Sequence, residues 1–228
     1  MIINISIRFI KEKTLNLSDY LSIEKNCWQN KKIFIGKMKI LIINGSPRKH
    51  GNITNILDTM QQEAEANGAK TEIIRTCDLQ VHPCTGCMSC RSKLKCVLPE
   101  DDAQLVLQKI QQADALIIGA PCYWGNIPGE LKVVFDRIVY GMMGESKKGY
   151  PTPLHKGKKA ILVGTCTTIY PFNILFNQSR GVIKALKEIL KWSGFKIAAT
   201  VEKGGTKNGK GLTDRDIKRS RRAVRKIT

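Results

Sequence analysis

Five short apolar runs alternate with amphipathic stretches between residues 39 and 201, and this alternation constrains the fold more than any other feature. Because apolar residues recur at helical spacing between the runs, the runs are expected to be strands and the intervening stretches helices. Strands that alternate with helices form a parallel sheet covered on both faces. The sequence therefore predicts an α/β fold with strands at KILIING (39–45), TEIIRT (71–76), DALIIGAP (114–121), KAILVGT (159–165) and FKIAATV (195–201).

The four predicted helices begin near Ile53, Ala103, Pro128 and Val182. Helix–strand crossovers in such sheets are almost always right-handed. Two doubly wound arrangements, Rossmann-like and flavodoxin-like, accommodate this pattern, and alternation alone does not choose between them.

The first apolar run stops abruptly at GSPRKHGNIT (45–54), directly before a predicted helix. A strand–loop–helix turn offers free backbone N–H groups and the positive end of the helix dipole, which together favour an anion. Ser46, Asn52 and Thr54 add polar side chains, and Arg48 adds positive charge. The loop lacks G-x-G-x-x-G and G-x-x-x-x-G-K-[ST], so it predicts a loop around one terminal phosphate. The alternative is an ordinary capped turn.

Two segments resemble a known family. G-S-P-R-x-x-G-N at 45–52 and P-x-Y-W-x-N at 121–126, followed by L-K-x-x-x-D-R at 131–137, are similar to the flavodoxin-like NAD(P)H-dependent FMN reductases. The resemblance covers residues 38 to about 200. It implies a flavodoxin-like three-layer sandwich with strand order 2-1-3-4-5, FMN as the cofactor and NAD(P)H as the reductant.

In that family the first loop holds the FMN phosphate, and the loop after the third strand lines the isoalloxazine ring. The family usually has Thr directly after the Asn of the first loop, whereas this chain has Ile53 there and Thr54 one residue later. The alternative for Tyr123 and Trp124 is ordinary packing. The predicted FMN contacts are Ser46, Arg48, Asn52, Ile53, Thr54, Pro121, Tyr123, Trp124, Gly125, Asn126 and Thr165, with Cys166 a secondary candidate.

No catalytic side chain is predicted, because the cofactor performs the chemistry and the protein positions it. We interpret Asp136 and Arg137 as structural residues that hold loops in place.

Four cysteines form the pattern C-x2-C-x2-C-x5-C, at Cys84, Cys87, Cys90 and Cys96. Four thiolates at short spacing suit a [4Fe–4S] cluster, and the spacing resembles that of the iron–sulfur flavoproteins, a branch of the same group. Zinc and a loop of free thiols or a disulfide are the alternatives. The remaining cysteines are predicted to be isolated packing residues: Cys27, Cys77, Cys122 and Cys166.

The resemblance implies an FMN-dependent oxidoreductase that passes reducing equivalents from NAD(P)H through FMN to a flavin, a quinone or a redox protein. The alternative is an electron carrier with FMN plus a [4Fe–4S] cluster. Members of this family are usually dimers or tetramers, so a homo-oligomer is expected.

The two ends of the chain differ from this central domain, which we place at residues 38–202. Residues 1–37 are either an N-terminal extension or a leader before a true start at Met38. Residues 203–228 form a basic tail with ten Lys/Arg against two Asp/Glu. Since the tail has no aromatic residue for base stacking, an exposed, partly disordered terminus is favoured over a nucleic-acid contact. The apolar runs are shorter than a membrane span, and we expect a cytoplasmic protein.

Overall fold

The computed structural model describes residues 37–208 and 211–228. The strands in these ranges are β1 (Lys39–Asn44), β2 (Lys70–Arg75), β3 (Ala115–Pro121), β4 (Met143–Glu145), β5 (Pro151–Pro153), β6 (Lys159–Thr165) and β7 (Lys196–Lys203). The α-helices are α1 (Asn52–Ala66), α2 (Ser89–Lys93), α3 (Asp102–Gln112), α4 (Gly129–Arg137), α5 (Val139–Met142), α6 (Phe172–Leu175), α7 (Ser179–Ser193) and α8 (Asp214–Val224).

The five long strands form one parallel sheet in the order β2-β1-β3-β6-β7. Counted along these strands alone, this is the 2-1-3-4-5 order, so the predicted fold class is confirmed. The short antiparallel strands β4 and β5 form a separate hairpin between β3 and β6 that was not predicted. No described helix is long and apolar enough to cross a membrane.

The sheet is covered on both faces because successive side chains of a strand point in opposite directions. Ile40 and Ile42 of β1 pack in the core formed with α1 and α8. Leu41 and Ile43 pack in the opposite core, formed with α3, α4 and α7. These two layers of helices leave the carboxyl ends of the strands as the open rim of the sheet.

The prediction that residues 203–228 form an exposed, partly disordered tail was wrong for residues 211–228, which include the helix α8. Thr213 begins α8 with a capping box, in which its hydroxyl accepts from the Asp216 N–H and the Asp216 carboxylate accepts from the Thr213 N–H. Val224 and Ile227 are buried in the core beside α1. The helix α1 alone cannot cover this face of a five-stranded sheet. Burial of Val224 and Ile227 therefore stabilises the segment against the sheet despite its positive charge.

The interpretations of residues 1–37, including Cys27 and a start at Met38, concern a stretch of which the structure describes only Lys37. They stay predictions.

Candidate functional site

An open cleft lies at the carboxyl ends of β1, β3 and β6. The sheet register brings these ends together, since Asn44 pairs with Gly119 and Pro121 pairs with Thr165. The residues that line the cleft are Ser46, Arg48, Gly51, Asn52, Ile53, Pro121, Cys122, Tyr123, Thr165, Cys166, Thr167 and Thr206. Ligand sites of open α/β sheets occur at this rim.

The loop between β1 and α1 is held by its own polar groups. The Ser46 N–H donates to Asn44 Oδ1 (2.9 Å), and the Arg48 N–H donates to Ser46 Oγ (3.3 Å). The Thr54 hydroxyl donates to the Arg48 carbonyl and accepts from the Asn44 side-chain amide, both at 3.1 Å. Thr54 therefore braces the loop and does not line the cleft.

The N-terminus of α1 faces the cleft with its donors available. Its N-cap is Gly51, and no side chain among the described residues caps the first turn. The first turn is Asn-Ile-Thr-Asn, which carries no charge. Asn52 Oδ1 is buried and has no hydrogen-bond partner among the described residues. The first-turn N–H groups are thus available as donors, for which the helix dipole favours an anion, and Asn52 Oδ1 is available as an acceptor.

Gly45 brings this loop close to the neighbouring elements. A Cβ at this position would lie 2.8 Å from Leu131 Cδ2 and 3.2 Å from the Gly119 carbonyl oxygen. The absence of a side chain therefore lets the start of the loop pack directly on β3 and α4.

The loop after β3 contains a two-residue turn. Tyr123 and Asn126 exchange backbone hydrogen bonds of 3.0 and 2.9 Å. Trp124 and Gly125 between them have φ values of 53° and 72°, as a type I′ turn requires. Trp124 is fully exposed and Tyr123 is half-exposed (47%). The Trp124 indole therefore projects from the turn and packs against no described part of the chain.

The turn rests on the start of α7, where Gly181 makes a close approach possible. A Cβ on Gly181 would lie only 1.8 Å from the Gly125 carbonyl oxygen. On the other side of the turn, Cys122 Sγ lies 3.6 Å from Gln178 Oε1. The position of residues 123–126 is therefore set by α7.

The structure places most of the predicted contacts in one cleft. The predicted residues that line it are Ser46, Arg48, Asn52, Ile53, Pro121, Tyr123 and Thr165, and the secondary candidate Cys166 joins them. The predicted residues outside its lining are Thr54, Trp124, Gly125 and Asn126. Sequence reasoning missed Cys122, Thr167 and Thr206. Cys122 immediately follows β3 and Thr167 comes two residues after the end of β6, but Thr206 comes after β7 in a segment that had been assigned to the tail.

The four-cysteine segment lies at the surface. Cys84 and Cys87 are exposed, and Cys90 and Cys96 are partly buried. Burial raises the pKa of the Cys90 thiol, and the nearby thiolates of Cys84, Cys96 and Cys87 raise it further. Within residues 37–208 and 211–228, no group of three or more His, Cys, Asp or Glu side chains is close enough to hold a metal ion.

The end of the four-cysteine segment is fastened to α4. Arg137 is buried, and its Nη2 donates to the Pro99 carbonyl and to Asp101 Oδ2, both at 3.0 Å. Burial opposes ionisation of Asp101, but the N–H groups of His82 and Ala103 and the Arg137 guanidinium outweigh it and hold the pKa of this carboxyl below its usual range. Arg137 therefore acts structurally, as its position on α4 had suggested.

Comparison with known proteins identifies one family. The family model described as NADPH-dependent FMN reductase matches residues 38–189. An iron-sulfur flavoprotein of Methanocaldococcus jannaschii is 37% identical over 100 residues, which are 44% of this chain and 51% of that protein. The chain thus spans about half the length of the curated relatives that it matches.

Solved structures share the fold at low sequence identity. The NAD(P)H:quinone oxidoreductase of Methanothermobacter marburgensis has a TM-score of 0.64 at 18% identity, with 85% of this chain and 100% of that chain covered. The FMN-dependent NADH-azoreductase of Bacillus anthracis, in complex with FMN, has a TM-score of 0.63 at 18% identity, with 82% and 95% covered.

Proposed function

Because the chain belongs to the NADPH-dependent FMN reductase family, we propose that it binds FMN in the cleft between β1, β3 and β6 and transfers reducing equivalents from NAD(P)H to an acceptor. The observation on which this rests most is the cleft itself, which joins an uncapped helix N-terminus, a cationic side chain and an aromatic side chain. The acceptor is a flavin, a quinone or a redox protein.

The β1–α1 loop suits the phosphate of FMN. A phosphate dianion needs several donors and a compensating positive charge, and the first turn of α1 and Arg48 supply both. The Ser46 hydroxyl lines the same part of the cleft and can donate to the phosphate. The unpartnered Asn52 Oδ1 is an acceptor, so it suits a hydroxyl group of the ligand and not the phosphate. With Thr54 bracing the loop, these groups are held in place before a ligand arrives.

The β3–α4 loop suits the ring of FMN. Tyr123 and Pro121 present apolar surface to the cleft. We propose that Trp124, Gly125 and Asn126, which lie in the turn beside the cleft, contact the edge of the ring. Thr165 is proposed to form a third side of the site. When bound, FMN supplies two-electron transfer between NAD(P)H and the acceptor. The side chains of this chain bind and orient it.

The test is a titration of the full chain with FMN, followed by addition of NADH or NADPH without oxygen. We expect saturable binding of one FMN per chain, and bleaching of the flavin absorbance by at least one of the two nucleotides. Binding without bleaching by either nucleotide would contradict the reductase activity, and failure to bind FMN would contradict the whole proposal.

Replacing Arg48 with Ala is expected to weaken FMN binding about tenfold, because a charge-assisted hydrogen bond to phosphate is lost and about 1.4 kcal/mol corresponds to tenfold. Riboflavin lacks the phosphate, so its affinity should be unchanged. Equilibrium titrations with both compounds measure this difference.

The matched control is Lys49→Ala. Lys49 is the adjacent exposed cation, and it does not line the cleft. Its replacement should change FMN affinity by less than about threefold, as expected for a screened surface charge. If Arg48→Ala weakens FMN and riboflavin equally, Arg48 does not contact the phosphate.

A second candidate function is electron transfer through FMN and a [4Fe–4S] cluster held by Cys84, Cys87, Cys90 and Cys96. It is favoured by the similarity to a relative named as an iron-sulfur flavoprotein and by the short C-x2-C-x2-C-x5-C spacing of the four cysteines. The exposed position of the segment suits exchange with a redox partner.

Anaerobic purification followed by iron and sulfide analysis tests this alternative. We expect about four iron and four acid-labile sulfides per chain, and most of this iron should be lost when Cys90 is replaced by Ser. Cys77→Ser is the control, because Cys77 lies outside the segment and near the Ser46 carbonyl. A chain purified without oxygen that contains neither iron nor sulfide would contradict the cluster.

We also propose that the chain forms a homo-oligomer. Large apolar side chains are exposed near the cleft-forming loops, at Trp124, Tyr170, Phe172 and Phe176. Light scattering coupled to size exclusion measures the mass directly, and a monomer at micromolar concentration would contradict the proposal. The domain boundary near residue 38 and the cytoplasmic location stay predictions.

A further inference from the structure

Two cysteines that had been interpreted as isolated packing residues lie opposite each other on neighbouring strands. Pro121 of β3 and Thr165 of β6 are register partners. One residue further, the Cys122 N–H donates to the Thr165 carbonyl at 2.7 Å. In a parallel ladder, this bond pairs the donor residue with the residue that follows the acceptor. Cys122 is therefore paired with Cys166 at the rim of the sheet.

This pairing brings the two thiols within reach of each other. Neighbouring strands are about 4.7–4.9 Å apart, which is inside the range of roughly 4.4–6.8 Å between the Cα atoms of disulfide-linked cysteines. Paired residues of parallel strands also point to the same face of the sheet. Both thiols face the start of α7, since Cys122 Sγ lies 3.6 Å from Gln178 Oε1 and the Cys166 thiol contacts the N–H of Ser179.

The pair also has access to small molecules. Both cysteines line the cleft, with Cys122 partly exposed and Cys166 buried behind it. Burial raises the pKa of both thiols, and the neighbouring Cys122 adds to the rise at Cys166. At neutral pH the pair is therefore a protonated dithiol, and its reaction with a disulfide should accelerate as pH rises and the thiolate fraction grows.

We propose that Cys122 and Cys166 form a redox-active pair that closes to an intrachain disulfide on the floor of the cleft when it meets a low-molecular-weight disulfide. The Cys122 thiolate attacks one sulfur of the reagent, breaks its S–S bond and releases one thiol. The Cys166 thiolate then attacks Cys122 Sγ and releases the second thiol. Two cysteine protons are lost, two electrons pass to the reagent, and two small thiols are formed for each Cys122–Cys166 bond.

The bond is expected to be reversible. Cβ atoms of paired residues on neighbouring strands are about one strand spacing apart, whereas disulfides prefer roughly 3.8 Å. The resulting strain makes the bond easier to reduce, which is typical of regulatory rather than structural disulfides. A monothiol or dithiol reductant should restore the open pair.

The location of the pair connects it to the proposed cofactor site. If FMN occupies the same cleft, as proposed above, it covers the path by which a reagent reaches Cys122. Bound FMN should then slow closure by the factor 1 + [FMN]/Kd, which is about a hundredfold at 100 times Kd. This part rests on the proposed function, whereas closure in the FMN-free chain does not.

Peptide mapping of the full, folded chain tests the proposal. The reduced chain is treated with 4,4′-dithiodipyridine, remaining thiols are alkylated, and trypsin is added without reductant. Cleavage at Lys109, Lys132, Lys159 and Arg180 places Cys122 and Cys166 in separate peptides, 110–132 and 160–180, with one cysteine each. We expect these two peptides to be joined. If the two peptides are instead found unlinked after complete reaction, each with its own modified cysteine, the proposed redox-active pair is refuted.

Variants test whether the link comes from Cys122, and added FMN tests whether the pair lies beneath the cofactor. Cys77→Ser should leave it unchanged, and Cys122→Ser should abolish it. If the link forms at the same rate with and without bound FMN, the pair does not lie beneath FMN and that part of the proposal fails. If a direct titration finds no FMN binding, the proposed function fails, and the wild-type peptide map still decides the existence of the pair.

Discussion

Replacing Asp101 with Asn is expected to lower the free energy of unfolding by about 3–5 kcal/mol, the usual cost of removing one partner of a buried ion pair. The Arg137 side chain is completely buried and the Asp101 side chain is 6% exposed. Arg137 Nε and Nη1 already have no partner among the described residues, so the loss of Asp101 leaves the guanidinium bonded to the Pro99 carbonyl alone. Asn retains a side-chain oxygen that can cap α3 as Oδ1 does, so the change removes the charge and the acceptor Oδ2, which receives the Arg137 guanidinium and the His82 N–H.

Urea denaturation of the two proteins measures this loss, and Asp136→Asn is the matched control. Asp136 pairs with Lys132 one turn away on α4 at 2.5 Å, but both side chains are about half exposed. Exposed pairs contribute roughly 0–1 kcal/mol, so the control should stay near the wild type. Equal losses in the two variants would show that burial of the Asp101–Arg137 pair is not what stabilises the segment.

The same pair makes a pH-dependent contribution of known sign. The folded-state pKa of Asp101 is lowered, while its unfolded pKa is about 3.9. The contribution of the carboxylate to stability is therefore complete above about pH 4 and is lost as pH falls through the lower, folded-state pKa. The wild type should lose this part of its stability in acid, and Asp101→Asn should show a correspondingly shallower decline.

Replacing Gly181 with Ala is expected to weaken FMN binding tenfold or more and to destabilise the fold by about 1–3 kcal/mol, the usual cost of overpacking. The new Cβ would lie 1.8 Å from the Gly125 carbonyl oxygen, so either α7 or the turn at 123–126 must move. A shift of the turn changes the position of Tyr123 and Trp124 beside the cleft. FMN titration and urea denaturation measure the two effects.

Gly129→Ala is the matched control for this change. Gly129 is also in the first turn of a helix, but a Cβ there would meet no described heavy atom within 4 Å. Its replacement should be neutral or stabilise the fold by up to about 1 kcal/mol. If Gly181→Ala behaves like this control in both measurements, the contact with Gly125 does not set the position of the turn.

The central fold was predictable because each long strand contains an apolar run. KAILVGT predicts a strand, and six of its seven residues are buried in β6. The helix α8 was missed for the opposite reason. Its buried apolar residues Ala223 and Val224, and Ile227 just beyond its end, are few and lie among many cations, so net charge obscured their spacing. The need to cover the second face of the sheet was the signal that could have revealed it.

The candidate site was predictable as far as loop chemistry determines it. The spacing in GSPRKHGNIT indicated an anion loop, and its predicted ligand contacts Ser46, Arg48, Asn52 and Ile53 line the cleft, whereas the fifth, Thr54, braces the loop. The pairing of Cys122 with Cys166 was not predictable, because it depends on the register between two strands whose paired residues are 44 positions apart along the chain. The place of Thr206 in the cleft was not predictable either, because it depends on the path of the chain after β7, which has no helical or strand periodicity.

Trp124 occupies a turn position at which it lowers the stability of the fold. A type I′ turn is most stable with Asn or Gly at its first central position, and a bulky residue with positive φ costs on the order of 1–3 kcal/mol. The exposed indole gains no packing from the described chain in return. Selection for stability alone would favour Asn-Gly here, so the Trp-Gly pair lowers stability in a way that only a contact beyond the described residues can offset.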